Sequence, residues 1–119
     1  MKTFLSVLFL AVTFTASAQF KKPIVAQIKT PQAQCAECKE RIEKFMKTEE
    51  GVVKVVVDIR KKITTVTFAP DRTNIENVKT AIANLGFDAD DVVAEAEQYK
   101  RLPLCCKREA DGGGPPKKQ

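Results

Sequence analysis

The stretch Ile24–Met46, IVAQIKTPQAQCAECKERIEKFM, changes its apolar spacing part-way along. Ile24, Ala26 and Ile28 recur at every second residue with Gln27 and Lys29 on the other side, the alternation of a half-buried strand. Pro31-Gln32-Ala33-Gln34 then breaks it into a loop. From Cys35 the repeat lengthens: Cys38, Ile42, Phe45 and Met46 fall on one helix face, and Lys39, Glu40, Glu43, Lys44 and Lys47 on the other. Glu37/Arg41, Glu40/Lys44 and Glu43/Lys47 are acid-before-base pairs four apart, the order that supports an exposed helix. Gly51 stops it. A strand therefore hands over to a helix with two cysteines at the junction.

Working outward, Val52–Ile59 is β-branched, with Val53, Val55 and Val57 on one face and Lys54 and Asp58 on the other. Arg60-Lys61-Lys62 is a polar turn, expected at the same end as the cysteine loop, and Ile63–Ala69 returns as a strand with Val66 and Phe68 inward. After Pro70, Thr73-Asn74-Ile75-Glu76 reads as a capping box, and Ile75, Val78, Ile82 and Leu85 mark a second amphipathic helix closed by Gly86. Phe87–Ala94 is a weaker last strand with Asp88, Asp90 and Asp91 in its first half. These aspartates lack the Gly and terminal Glu of a calcium loop and are read as a solvated strand start. The order β-α-β-β-α-β predicts an α+β, ferredoxin-like sandwich: a four-stranded antiparallel sheet with both helices on one face.

The chain has 119 residues, 44% hydrophobic and 29% charged, a balance that excludes disorder throughout. That length permits one modest core and excludes a multidomain enzyme. There is no His, which removes Ser-His-Asp triads, Cys-His pairs and His-ligated zinc or haem. The formal charge is +5, yet residues 24–95 carry 11 Lys/Arg against 12 Asp/Glu. The surplus sits in the flanks, at Lys21, Lys22, Lys100, Arg101, Lys107, Arg108, Lys117 and Lys118. A folded nucleic-acid binder carries its basic stripe on the domain beside stacking aromatics, so no nucleic-acid partner is expected.

Met1-Lys2, the apolar run Phe4–Ala16 and the small-x-small Ala16-Ser17-Ala18 read as a signal peptide over residues 1–18. The run is too short to span a bilayer. We expect a periplasmic or secreted protein with no membrane span after cleavage. It would comprise an N-terminal extension (19–23), one domain (24–95) and a flexible basic C-terminal tail (96–119) carrying Cys105-Cys106. Export matters because such compartments permit disulfides.

Cys35-Ala36-Glu37-Cys38 lies where unpaired helical N–H groups and the helix dipole stabilise a thiolate. Two converging thiolates select a soft ion: Cu(I), Hg(II) or Zn(II). Two sulfurs alone make an exposed, under-coordinated site, suited to an ion that is passed on. A thiol–disulfide redox pair, with Cys105/Cys106 as resolving pair, and a plain structural disulfide are the other uses of a CxxC. An interaction module with a vestigial site is a further reading. Adjacent cysteines rarely bond each other. Extended, the ten residues from Glu95 to Cys105 span about 33 Å, enough to return to the loop, against about 15 Å as a helix. Cys105 and Cys106 are therefore candidate extra metal ligands, disulfide partners or a hand-on pair, if the tail returns. Met46 is read as core.

Over residues 24–95 the chain resembles the heavy-metal-associated domain family of copper chaperones, metal-ATPase N-terminal domains and the periplasmic mercury-binding protein. Cys35-x-x-Cys38 leading the helix, Gly51-Val52 with the valine strand and Asp58, and Leu85-Gly86-Phe87-Asp88-Ala89 carry the resemblance. It implies metal binding by Cys35 and Cys38, with Phe87 in the loop beside the metal. It further implies a partner that is a metal-transporting membrane protein or another metal-binding protein. No catalytic residue and no enzyme activity are expected. Gln32-Ala33-Gln34 stands where the family has Gly-Met-x, leaving less apolar support beneath the loop, and Glu37 adds negative charge beside the site.

Overall fold

A computed structural model of the chain describes residues 21–115; the expected signal peptide and residues 116–119 lie outside the described residues. The elements are β1 (Ile24–Lys29), α1 (Ala36–Met46), β2 (Val52–Asp58), β3 (Ile63–Phe68), α2 (Ile75–Ala83) and α3 (Ala96–Lys100). Short 3-10 turns follow at Leu104–Cys106 and Glu109–Asp111. No helix among the described residues is long and apolar enough to cross a membrane.

The sheet is antiparallel in the order β1-β3-β2, with Ile28 opposite Thr64, Ala26 opposite Val66 and Val57 opposite Thr64. Ile28, Val55, Val57, Val66 and Phe68 cluster with Cys38, Ile42 and Met46 of α1 and Val78 and Ile82 of α2. Burying each such apolar side chain contributes about 1.5–3 kcal/mol. Thr64 is buried among them, and its hydroxyl meets that of Thr30 at 2.9 Å, so neither oxygen is left unpaired. Thr30 N–H donates to Lys62 O at 2.9 Å, which sets the β2–β3 turn beside the cysteine loop as expected.

The strand expected at 87–94 does not form; among the described residues the sheet has three strands. The aspartates of 87–94 account for this. Lys29 N–H, on the open edge of β1, donates to the side chain of Asp90 at 2.7 Å, and Asp90 N–H donates back to Lys29 O at 2.9 Å. Asp90 sits at φ 51°, and the chain turns back in a single Ala89–Val92 bridge. A carboxylate occupies the place that a next backbone carbonyl would take, so the ladder ends after one pair. Glu95 N–H then bonds Ala83 O at the end of α2. Without a fourth strand to carry it away, the chain stays at the cysteine end of the domain.

Smaller departures have local causes. A bulge between Val52 and Lys54 turns Val53 out of the core, 63% exposed. Phe45 and Ile24 lie at the margins and are half exposed. Asn74, not Thr73, caps α2 by accepting from Asn77 N–H at 2.8 Å. None of the three expected pairs on α1 forms. Instead Lys39 bonds Glu43 at 2.7 Å, and both reach the edge of β2: Lys39 Nζ donates to Val57 O, and Glu43 accepts from Val57 N–H. Serving two otherwise unpaired edge groups outweighs an exposed ion pair.

Residues 96–115 were expected to trail freely. They pack on the domain, with Leu102 and Cys106 buried. Glu95 caps α3, accepting from Gln98 N–H at 2.8 Å, and the backbone of Gln98 and Tyr99 lies directly against Gly86.

Candidate metal centre

Cys35 is the N-cap of α1, with extended backbone (φ −140°, ψ 167°), and Lys39 N–H makes the first helical bond to its carbonyl at 3.1 Å. Cys38 follows in the first turn, its Sγ 3.1 Å from that of Cys35. The two sulfurs thus converge at the positive end of the helix dipole. The site is not exposed, however: Cys38 and Cys106 are fully buried and Cys35 nearly so. The 3-10 turn Leu104–Cys106 covers the pair and brings its own two sulfurs in. All four Sγ atoms lie within 4.8 Å of one another, and disulfides join Cys35 to Cys105 and Cys38 to Cys106. Cys105 Sγ is 4.0 Å from Glu37 Oε2, so the extra negative charge expected beside the site is there. Phe87 is fully buried in the same apolar cluster as Cys35, Cys38 and Cys106.

The tail returns through a short helix and a turn, not an extended run, because the chain never leaves this end of the domain. What fastens it went unread in the sequence. Arg108 donates through Nη2 to both carboxylate oxygens of Asp88 at 2.9 Å, and its guanidinium lies 4.5 Å over the Tyr99 ring. Arg108 N–H donates to the Tyr99 hydroxyl at 2.9 Å, and Gln34 Nε2 to Lys107 O at 3.0 Å. Gln32 and Gln34, which flank the Ala33 expected to leave less apolar support beneath the loop, are buried; Gln32 Oε1 accepts from Asp88 N–H at 2.9 Å. Ala33 is buried as well. Asp88 is therefore a structural partner and not a solvated strand start, whereas Asp91 stays largely in solvent. A basic residue just past the second cysteine pair was the available signal for this latch.

The latch has a pH dependence. Burial pushes the Asp88 carboxyl up, but the Ala94 N–H and the Arg108 guanidinium outweigh it and hold the group below the ordinary carboxylate value. A depressed folded-state pKa stabilises the fold above the unfolded value of about 3.9, and that contribution is lost as pH falls through the folded value. With Arg108 partly exposed, the latch is worth about 1 kcal/mol. Acidification should thus lower the amide protection factors (exchange relative to the intrinsic rate at the same pH) across 96–115 before those of the sheet amides fall. Asp88→Asn should exchange fast there already at neutral pH; an Asp88→Asn protein with the wild-type acid profile would remove Asp88 from this role.

The heavy-metal-associated domain profile matches residues 27–88. The chain belongs to the heavy-metal-associated domain family. It is 34% identical over 67 residues to a copper-exporting P-type ATPase of Staphylococcus haemolyticus, a match that covers 56% of this chain and 8% of the ATPase. Among solved structures it resembles the Cu(I)-loaded N-terminal domain of a potential copper-translocating P-type ATPase from Bacillus subtilis. That likeness has 28% identity and a TM-score of 0.54, over 57% of this chain and 85% of that one. It also resembles mercury-bound MerP, the periplasmic protein of the bacterial mercury detoxification system, at 26% identity and TM-score 0.50, over 57% of this chain and 94% of that one. The match to the family profile ends at residue 88, so the segment bearing Cys105 and Cys106 lies outside the matched residues.

Proposed function

We propose that this protein is an exported carrier or sequestering agent for a soft ion of the Cu(I) or Hg(II) class. Cys35 and Cys38 hold the ion as thiolates and yield it to an incoming thiolate by stepwise ligand exchange. The observation that carries this reading is the convergence of both sulfurs at the start of α1, 3.1 Å apart, inside the matched domain. Positive potential at a helix start lowers a thiol pKa, and soft sulfur discriminates for thiophilic ions over hard ones. The Cu(I)-loaded and mercury-bound relatives support the ion class. The Phe4–Ala18 segment supports a periplasmic or secreted location, and a copper-exporting relative supports a metal-transporting membrane protein as partner. Ligand exchange makes or breaks no substrate bond, so no enzyme is invoked.

The cross-pairing of the cysteines favours a second reading, a thiol–disulfide carrier in which Cys105/Cys106 resolve Cys35/Cys38. One experiment separates the two. The protein is reduced with a phosphine under anaerobic conditions and titrated with Cu(I), Hg(II) and Zn(II) against a chelator, with native mass spectrometry as readout. We expect one ion retained per chain, and none after Cys35→Ser with Cys38→Ser. Loss of every ion to a mild chelator, with insulin-disulfide reduction present, would replace the carrier by the redox protein.

A further inference from the structure

The four sulfurs ask for a ligand that the family site alone does not. We propose that Cys105 and Cys106 complete, with Cys35 and Cys38, one closed four-sulfur site for a single divalent thiophilic cation that accepts tetrahedral coordination, of the Zn(II) or Cd(II) class. The proposal rests on the reading of Cys35 and Cys38 as soft-metal thiolates and deepens it.

Distance supports it first. A tetrahedral ion with metal–sulfur bonds of about 2.3 Å sets its ligands about 3.8 Å apart. Non-bonded separations here are 3.1 Å (Cys35 to Cys38), 3.9 Å (Cys35 to Cys106) and 4.0 Å (Cys105 to Cys106), and all four atoms fall within 4.8 Å. Small rotations about the Cα–Cβ bonds of reduced cysteines bring such a set onto one ion.

The second support is that both halves are already held in place. Cys35 and Cys38 stand on the first turn of α1. The turn bearing Cys105 and Cys106 is fastened to the domain by Arg108 to Asp88 and by Lys107 O to Gln34, and closed on itself by Gly114 N–H to Leu104 O. Gly113 packs so closely on that turn that a Cβ there would collide with the carbonyl oxygens of Leu104 and Lys107. Ligands ordered beforehand lose little entropy on binding.

Charge is the third. Four thiolates around a monovalent ion leave three net negative charges beside the Glu37 carboxylate, and around a divalent ion only two. With three of the four cysteines buried, the smaller residual charge is the one the site tolerates.

Chemical balance then makes the site redox-gated. In the paired form each disulfide joins one sulfur of the CxxC to one of the tail pair, so no free thiolate remains. Reduction adds four electrons and four protons to give four thiols. Loading one M(II) expels those four protons and leaves a tetrathiolate with a net charge of minus two. A disulfide-donating oxidant reverses the sequence: it takes four electrons, re-forms both disulfides and releases the ion.

The test uses the phosphine-reduced protein loaded anaerobically with one equivalent of Cd(II) or Zn(II). The phosphine supplies the electrons and ends as its oxide. X-ray absorption at the metal edge should count four sulfurs in a monomer. Cys105→Ser with Cys106→Ser should leave two sulfurs, with affinity down by more than the about 100-fold that losing an outer-shell contact costs. Two sulfurs in the unmodified protein, a count that needs no variant to fold, would overturn the closed site and leave the Cys35/Cys38 reading standing. So would equal affinity in the variant. Failure of both proteins to retain Cd(II), Zn(II) and Hg(II) would overturn both readings together.

Discussion

Reducing the metal-free protein should lower its unfolding free energy by about 4 kcal/mol, read as a fall in the urea midpoint on adding a phosphine. The disulfides close loops with sequence separations of 70 and 68 residues, and chain entropy lost from the unfolded state rises with the logarithm of loop length. The two effects do not add. Once Cys35 is tied to Cys105, joining Cys38 to Cys106 closes only a ring of a few residues, so the second bond restrains the unfolded chain less than the first. Cys105→Ser alone should therefore cost about 2 kcal/mol, about half the loss from full reduction, because Cys38–Cys106 still spans nearly the same loop and only the small ring is opened. The large loss should come only when both bonds are gone. A midpoint that ignores the phosphine would mean that the strap is not cross-linked to α1 in solution. Loading the reduced protein with Cd(II) should restore stability in proportion to affinity and ion concentration, since the ion binds the folded chain.

Much of this was legible beforehand, for identifiable reasons. Alternation in Ile24–Ile28 and the 3.6-residue repeat from Cys38 to Met46 are strong periodic signals, and they placed both family cysteines on the junction that they occupy. Phe87–Ala94 was misread because its apolar pattern is strand-like while its aspartates compete for the backbone donors that a strand needs; Asp90 takes Lys29 N–H for itself. Periodicity does not weigh that competition. Nor could it show the strap's attachment: Arg108 reads as one more charge of the basic flank until the missing fourth strand leaves Asp88 next to it. The burial of the site followed from the same cause. A tail that begins at the cysteine end needs little reach to close over it.

That geometry puts unusual weight on one residue far from the sulfurs in sequence. Gly86→Ala should destabilise the protein by about 3 kcal/mol, for two independent reasons. Gly86 has φ 100°, a conformation that L side chains rarely adopt. A Cβ there would also lie 2.9 Å from Gln98 C and Tyr99 N and 3.0 Å from Gln98 O, all rigid backbone of α3. A flexible neighbour could swing aside, but here the helix itself must lift. Lifting α3 moves Tyr99, which carries Arg108 and so the Cys105–Cys106 turn. In the disulfide form the cross-links still hold that turn over α1, and the variant should lose stability while keeping its four sulfurs together. In the reduced form nothing covalent opposes the displacement, so Gly86→Ala should also release Cd(II) to a chelator faster than the unmodified protein. Chemical denaturation of both redox forms and a stopped-flow chelator chase measure the two effects separately. A variant that loses stability but keeps the unmodified release rate would mean that α3 does not position the tail sulfurs.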